Sequence, residues 1–209
     1  MKKTLILIVL FVLPIVAYLF FASGVNNFGK LPELTQNVNE LNFANDIKFK
    51  KKITILGFLG DNVDLRKGNA FNLNQKIYKR FHEFKDFQFV MVMPIGTEDI
   101  IQEIKKDLAN LADIEKWNFI FATPQEIESL FFSLKTDIQL DGDFGTPYVF
   151  IIDKNLSLRG RTADEDEGTK YGFNSNSVAD LNNKMVDDVK IILAEYRLAL
   201  KKNNPDRTK

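Results

Sequence analysis

Three short apolar runs, each followed by a helix-length segment, constrain this chain more than any other feature. Ile53 to Leu59 (ITILGFL), Phe87 to Met93 (FQFVMVM) and Trp117 to Phe121 have the length and unbroken apolar character of strands buried on both faces. Between the first two, Leu73, Ile77, Phe81 and Phe84 recur at spacings of four, four and three, the stripe of an amphipathic helix. After the second, Thr97 with Glu98 and Asp99 starts another helix, its acids at the positive end of the dipole. Its inner stripe is expected at Ile100, Ile104, Leu108 and Leu111. After the third, Thr123-Pro124-Gln125-Glu126 supplies an N-cap, a proline at N1 and a glutamate at N3. Strands joined by helices require parallel crossovers.

The second half changes pattern. Tyr148 to Ile152 is a strand, and Leu156 to Leu158 pairs back on it through Asp153-Lys154-Asn155 as a hairpin. Ser177 opens a last helix, with Val178, Leu181, Met185, Val189, Ile192, Tyr196 and Ala199 at helical spacing. The order is β-α-β-α-β-α, a hairpin and a helix: an α/β domain with a mixed central sheet flanked by helices.

The N-terminus reads differently. Lys2 and Lys3 precede an uncharged stretch, Thr4 to Ala22, which as a helix would span roughly 28 Å and cross the bilayer core. An uncleaved single-pass anchor is expected, with a signal peptide cleaved near Ala22-Ser23-Gly24 as the alternative. Either places the domain outside the cytoplasm, in the periplasm of a Gram-negative cell. The expected division is an anchor at 1–24, a tether at 25–50, the domain at 51–200 and a polar tail at 201–209. Phe28, Phe43 and Phe49 are conspicuous for a tether and are expected to dock on the domain or on a partner.

Composition narrows the chemistry. Among 209 residues there is no cysteine, so neither disulfides nor thiolate ligands exist and the fold rests on its core. Basic and acidic residues number 28 each, which argues against a nucleic-acid partner. No P-loop, GxSxG elbow or HExxH motif is present, and neither an enzyme nor a cofactor is expected.

Thr146-Pro147 leading into a strand, within this element order, resembles the thioredoxin fold, where such a proline, commonly cis, faces the redox site. Three phrases are similar to the Sco/SenC family of thioredoxin-like copper chaperones for cytochrome oxidase assembly: ILGFLG at 55–60, KWNFIFATPQEIESLF at 116–131 and VFIIDKNLSLRGR at 149–161. The resemblance covers residues 51–200 and implies a membrane-anchored, extracytoplasmic domain. It also implies two cysteines spaced CxxxC after the first strand and a histidine before the late strand. Here the first place reads GDNVDLRKG at 60–68, and the histidine place falls near Gly145. Copper(I) prefers sulfur donors and thiol exchange needs a thiolate, so neither activity is implied for this chain.

What remains is a redox-inactive domain expected to work through contact with a protein partner. Docking is expected at the loop carrying Asp61 and Asp64 and at the groove beside Thr146 and Pro147. Two alternatives stay open. One is a hard-cation site around Asp61 and Asp64, which offer few ligands; the other is a cysteine-independent enzyme of the same superfamily. DGDFG at 141–145 reads as a tight turn, the DEDE run at 164–167 as an exposed acidic loop, and His82 as a surface or half-buried helix residue.

Overall fold

The computed structural model describes residues 10–16, 18, 29–44 and 46–203. Residues 10–16 are helical. The rest of the expected anchor, apart from Tyr18, lies outside the described residues, as does Phe28. Among the described residues no helix is long and apolar enough to cross a membrane.

Strand β1 (Glu33–Thr35) comes first, then β2 (Ile53–Leu59), β3 (Phe87–Pro94) and β4 (Trp117–Ala122), followed by β5 (Gly145–Ile152) and β6 (Leu158–Arg159). A separate hairpin pairs β7 (Arg161–Asp164) with β8 (Gly168–Lys170), and β9 (Phe173–Asn174) pairs with β5. The main sheet runs β1-β6-β5-β2-β3-β4. β2, β3 and β4 are parallel, whereas β5 runs antiparallel to β2 and turns back into β6. The sheet is mixed, as the sequence pattern requires.

Helix α1 spans Val63–Leu73, passes through a π-helical turn at Asn74–Tyr78 and ends with Lys79–Phe81. Helix α2 is Glu98–Ala109 and α3 is Pro124–Ser133. Helix α4 begins at Val178–Asp180, has its own π-helical turn at Leu181–Met185 and continues as Val186–Asn203.

Strand alternation divides the core. Ile53, Ile55, Phe87, Phe89 and Met91 face α1, α2 and α4, while Leu56, Phe58, Val90, Val92 and Phe150 face α3. The capping box of α3 is formed: Thr123 Oγ1 accepts from Glu126 N, and Glu126 accepts from Thr123 N at 2.8 Å. Such a cap stabilises a helix by about 1 kcal/mol. In α2 the buried stripe is Ile101, Ile104 and Leu108, with Ile100 and Leu111 exposed. Ile104 and Leu108 are buried as expected, while Ile101 takes the place expected for Ile100, since both satisfy helical spacing with Ile104, and Leu111 falls outside the stripe.

The expected tether at 25–50 is, from Leu31 onward, part of the domain. β1 adds to the sheet edge, and Val38, Leu41 and Phe49 are buried beside α3. Glu40 closes the segment by accepting from the backbone N–H groups of Leu41, Phe49 and Lys50. Phe49 thus docks on the domain itself, and Phe43 packs beside it.

Candidate functional site

The loop after β2 and the loop before β5 meet because their strands pair, with Leu59 opposite Gly145. Gly60 turns the chain out of β2 at φ +72°, and Asn62 precedes the first turn of α1. The other loop is the expected tight turn, with Phe144 N donating to Asp141 O and Asp141 N to Gly145 O. Asp61 N donates to Asp143 O at 2.9 Å, joining the two loops.

Arg66 fills the space between them. It lies on the inner stripe of α1 with Val63, Ala70 and Leu73 and is 2% exposed. Its guanidinium donates to Leu59 O at 3.1 Å and to Asp141 at 2.6 Å, and it holds Asp143 through both terminal nitrogens. A cation in the first turn of a helix is opposed by the dipole, and burial removes its water. The two carboxylates and the carbonyl answer both costs. Burial disfavours the Asp143 charge, but the Arg66 hydrogen bond and charge outweigh it and hold the carboxyl below its usual range.

The fit requires glycine. A Cβ at Gly145 would sit 2.5 Å from the guanidinium carbon, and one at Gly60 would meet Asp143 at 2.7 Å. The family resemblance places a metal-binding histidine near Gly145, and a side chain at Gly145 itself would meet the arginine. The guanidinium cannot lose its proton near neutral pH, so Arg66 itself offers neither a nucleophile nor a general base.

Asp61 and Asp64 are exposed at the rim, Thr146 is buried and Pro147 is partly exposed. The described residues contain no cis peptide bond, so Pro147 is trans, unlike the form common among redox relatives. It lies where β5 slips against β2, at an irregularity that needs no ladder N–H. Its carbonyl accepts from Ser175 N at 2.9 Å and from the Ser175 hydroxyl. With β9 paired to Tyr148 and Val149, the backbone beside Pro147 is already engaged by the chain itself.

Among the described residues no group of three or more histidine, aspartate or glutamate side chains is placed to hold a metal ion. His82 is half-buried at the far end of α1, its ring stacked on Tyr78. Glu165, Asp166 and Glu167 of the DEDE run are exposed as expected, but Asp164 is not. Asp164 is buried, Lys184 reaches Asp164 and Asp166 at 2.6 Å each, and Glu167 pairs with buried Lys170. The run is thus answered by Lys170, three residues on, and by Lys184 from α4.

A cleft of about 730 Å³ adjoins the clamp between α3 and residues 135–144. Phe131, Ile138, Leu140 and Phe144 line it, and Phe132 stands 71% exposed on its wall. Glu128, Asp137 and Asp141 give it an acidic rim with Lys135 as counter-charge. The sequence reading named neither Arg66 nor this cleft. The signal for Arg66 was there, an arginine at helical spacing from Val63, Ala70 and Leu73, on a stripe that also buries Asn69.

No protein-family model and no curated protein matches the sequence. Solved structures do match. BsSco, a member of the Sco family of cytochrome c oxidase assembly proteins, is 14% identical with a TM-score of 0.51, covering 77% of this chain and 95% of its own. A protein from Aquifex aeolicus VF5 named for electron transport is 17% identical with a TM-score of 0.50, covering 78% of this chain and 98% of its own. At these identities what is shared is architecture. The chain is a cysteine-free protein of the thioredoxin-like fold, built on the same scaffold as the Sco proteins.

Proposed function

We propose that this chain is a membrane-held, redox-inactive thioredoxin-like domain that acts by docking a protein partner at its clamp-bearing end. The observation that carries the reading is the Arg66–Asp141–Asp143 clamp, which occupies the place of a reactive centre with groups that do no thiol or copper chemistry. Around it lie features of a contact surface: exposed Asp61 and Asp64, the acidic rim, and an apolar cleft with Phe132 standing out of it. A partner segment suited to this surface carries basic residues flanking an apolar side chain.

Membrane attachment follows the uncharged Thr4 to Ala22 stretch. Leu10, Phe11, Leu13, Ile15 and Val16 are each more than half exposed, which suits lipid and not water. The lysines before it favour an extracytoplasmic domain.

The test is crosslinking capture from membranes carrying the full chain, followed by reconstitution with the captured protein. Phe132→Glu and the pair Asp61→Lys with Asp64→Lys are expected to lower affinity at least tenfold, whereas Lys190→Glu leaves it unchanged. Equal affinity for all variants, or tight cuprous-ion binding by the purified protein, overturns the proposal.

A further inference from the structure

The end of the domain opposite the clamp carries a concentration of cations. The turn entering β2 supplies Lys50, Lys51 and Lys52, the turn before β3 supplies Lys85, the β5–β6 turn supplies Lys154, and α4 supplies Arg197. These segments are joined: Lys51 N donates to Lys154 O, and Ile53 N donates to Asp86 O. Lys154 forms an ion pair with Asp86 at 2.6 Å. Burial disfavours the Asp86 charge, yet hydrogen bonding by Lys154 and the charges of Lys154, Lys52 and Lys85 hold its carboxyl below the usual range. The six cations outnumber the acids beside them, Asp86, the exposed Glu83 and Glu40, whose carboxylate accepts from Lys50 N. Phe84 is 39% exposed beside them, at the lip of a cleft of about 240 Å³ formed with Lys85, Lys154, Tyr196 and Arg197.

The chain enters the domain near this pole. The carbonyl of Leu31 accepts from Arg159 Nε at 2.8 Å, and Arg159 pairs with Glu195, adjacent to Tyr196 and Arg197. Eight residues separate Ala22, the end of the uncharged stretch, from Leu31. Fully extended, they reach about 28 Å at most. A basic surface tethered so closely to a bilayer spends much of its time within a few screening lengths of the headgroups.

We infer that this basic pole rests on anionic lipid headgroups, with Phe84 at the interface, and that this contact turns the acidic, clamp-bearing end away from the membrane. The inference rests on the membrane anchorage proposed above and adds an orienting surface to it. Lysine ammonium groups supply the attraction, and an aromatic ring at headgroup depth supplies apolar burial. The chain carries no formal net charge, so the cations gathered at this pole leave an acidic excess elsewhere.

The full chain can be reconstituted into nanodiscs of phosphatidylcholine alone, or with a third of the lipid replaced by phosphatidylglycerol, and acylation followed at each lysine by mass spectrometry. At low salt Lys50, Lys51 and Lys85 should react at least about threefold more slowly on the anionic discs, with the difference lost at high salt. Lys135 and Lys190, on other faces, should not respond. In a variant with Lys50→Glu, Lys51→Glu and Lys85→Glu, all at exposed positions, the protection of Lys52 and Lys154 should vanish while the circular dichroism spectrum is retained. Equal reactivity on both lipids overturns the inference. So does protection by inorganic phosphate on neutral discs, which would mark a small-anion pocket. Failure to enter discs of either composition overturns the anchor and this inference together, an outcome distinct from insertion without protection.

Discussion

Two buried arginines, at opposite ends of the domain, are held in similar ways and do different work. Arg66 and Arg159 each donate to a backbone carbonyl and to two carboxylates. Around Arg66 both acids come from one short loop, and Asp141 remains 61% exposed. Around Arg159 they come from distant elements: Asp153, wholly buried in the hairpin turn, and Glu195 on α4, while the carbonyl belongs to Leu31 ahead of β1. The first cluster closes a local site. The second fastens the beginning, middle and end of the domain to one another. The difference shows that a buried ion pair is weighed by what it connects as well as by its depth.

The sharpest way to break this comparison is Arg159→Met. Removing one member of a buried cluster strands the others, and a loss of about 3–5 kcal/mol is expected in urea unfolding. Next comes Gly145→Ala, whose Cβ meets the Arg66 guanidinium and should cost about 1–3 kcal/mol. In an Arg66→Ala background that penalty should fall by half or more, since the obstacle is gone. If it does not, the contact is not what makes glycine necessary there.

Arg66→Met should cost less than Arg159→Met, about 1–2 kcal/mol at neutral pH, because Asp141 can rehydrate. The difference between wild type and this variant should depend on acid. Asp143 has a lowered carboxyl pKa in the fold, so its contribution is full above the unfolded value near about 4 and is lost as pH falls through the folded one. Urea midpoints measured across that range should converge. At the other pole, burial first and the Asp153 charge second push the Tyr196 phenol well up. Its contribution is full below the unfolded value near about 10 and declines as pH rises beyond it. Tyr196→Phe should lack that alkaline decline while changing neutral stability by less than about 1 kcal/mol.

Much of the scaffold could be read from residues whose structural cause is local. Ile53 to Leu59 has the composition of a strand covered on both sides and forms one over those same residues. Thr123 and Glu126 cap α3 because reciprocal bonding requires only their spacing. What escaped has non-local causes. Residues 31–49 show no periodicity, and their burial depends on β6, on α3 and on Glu40 binding backbone up to ten residues ahead. Asp61, Asp64, Thr146 and Pro147 were recognisable as neighbours of one site, but the arginine at its centre was not. Its partners lie 75 and 77 residues away. Asp164 in the acidic run at 164–167 likewise looks solvated until Lys184, twenty residues on, is brought against it.

The attachment of β1 has a mechanical consequence. Under the proposed membrane attachment, a pull between the bilayer and the body would arrive first at Leu31 and at the three residues of β1. That load passes into the β5–β6 hairpin and, through Arg159, into the last helix. Traction on such an anchor would thereby be shared by the whole body, and a sideways tug would have to shear an ionic lock before it could peel an edge strand.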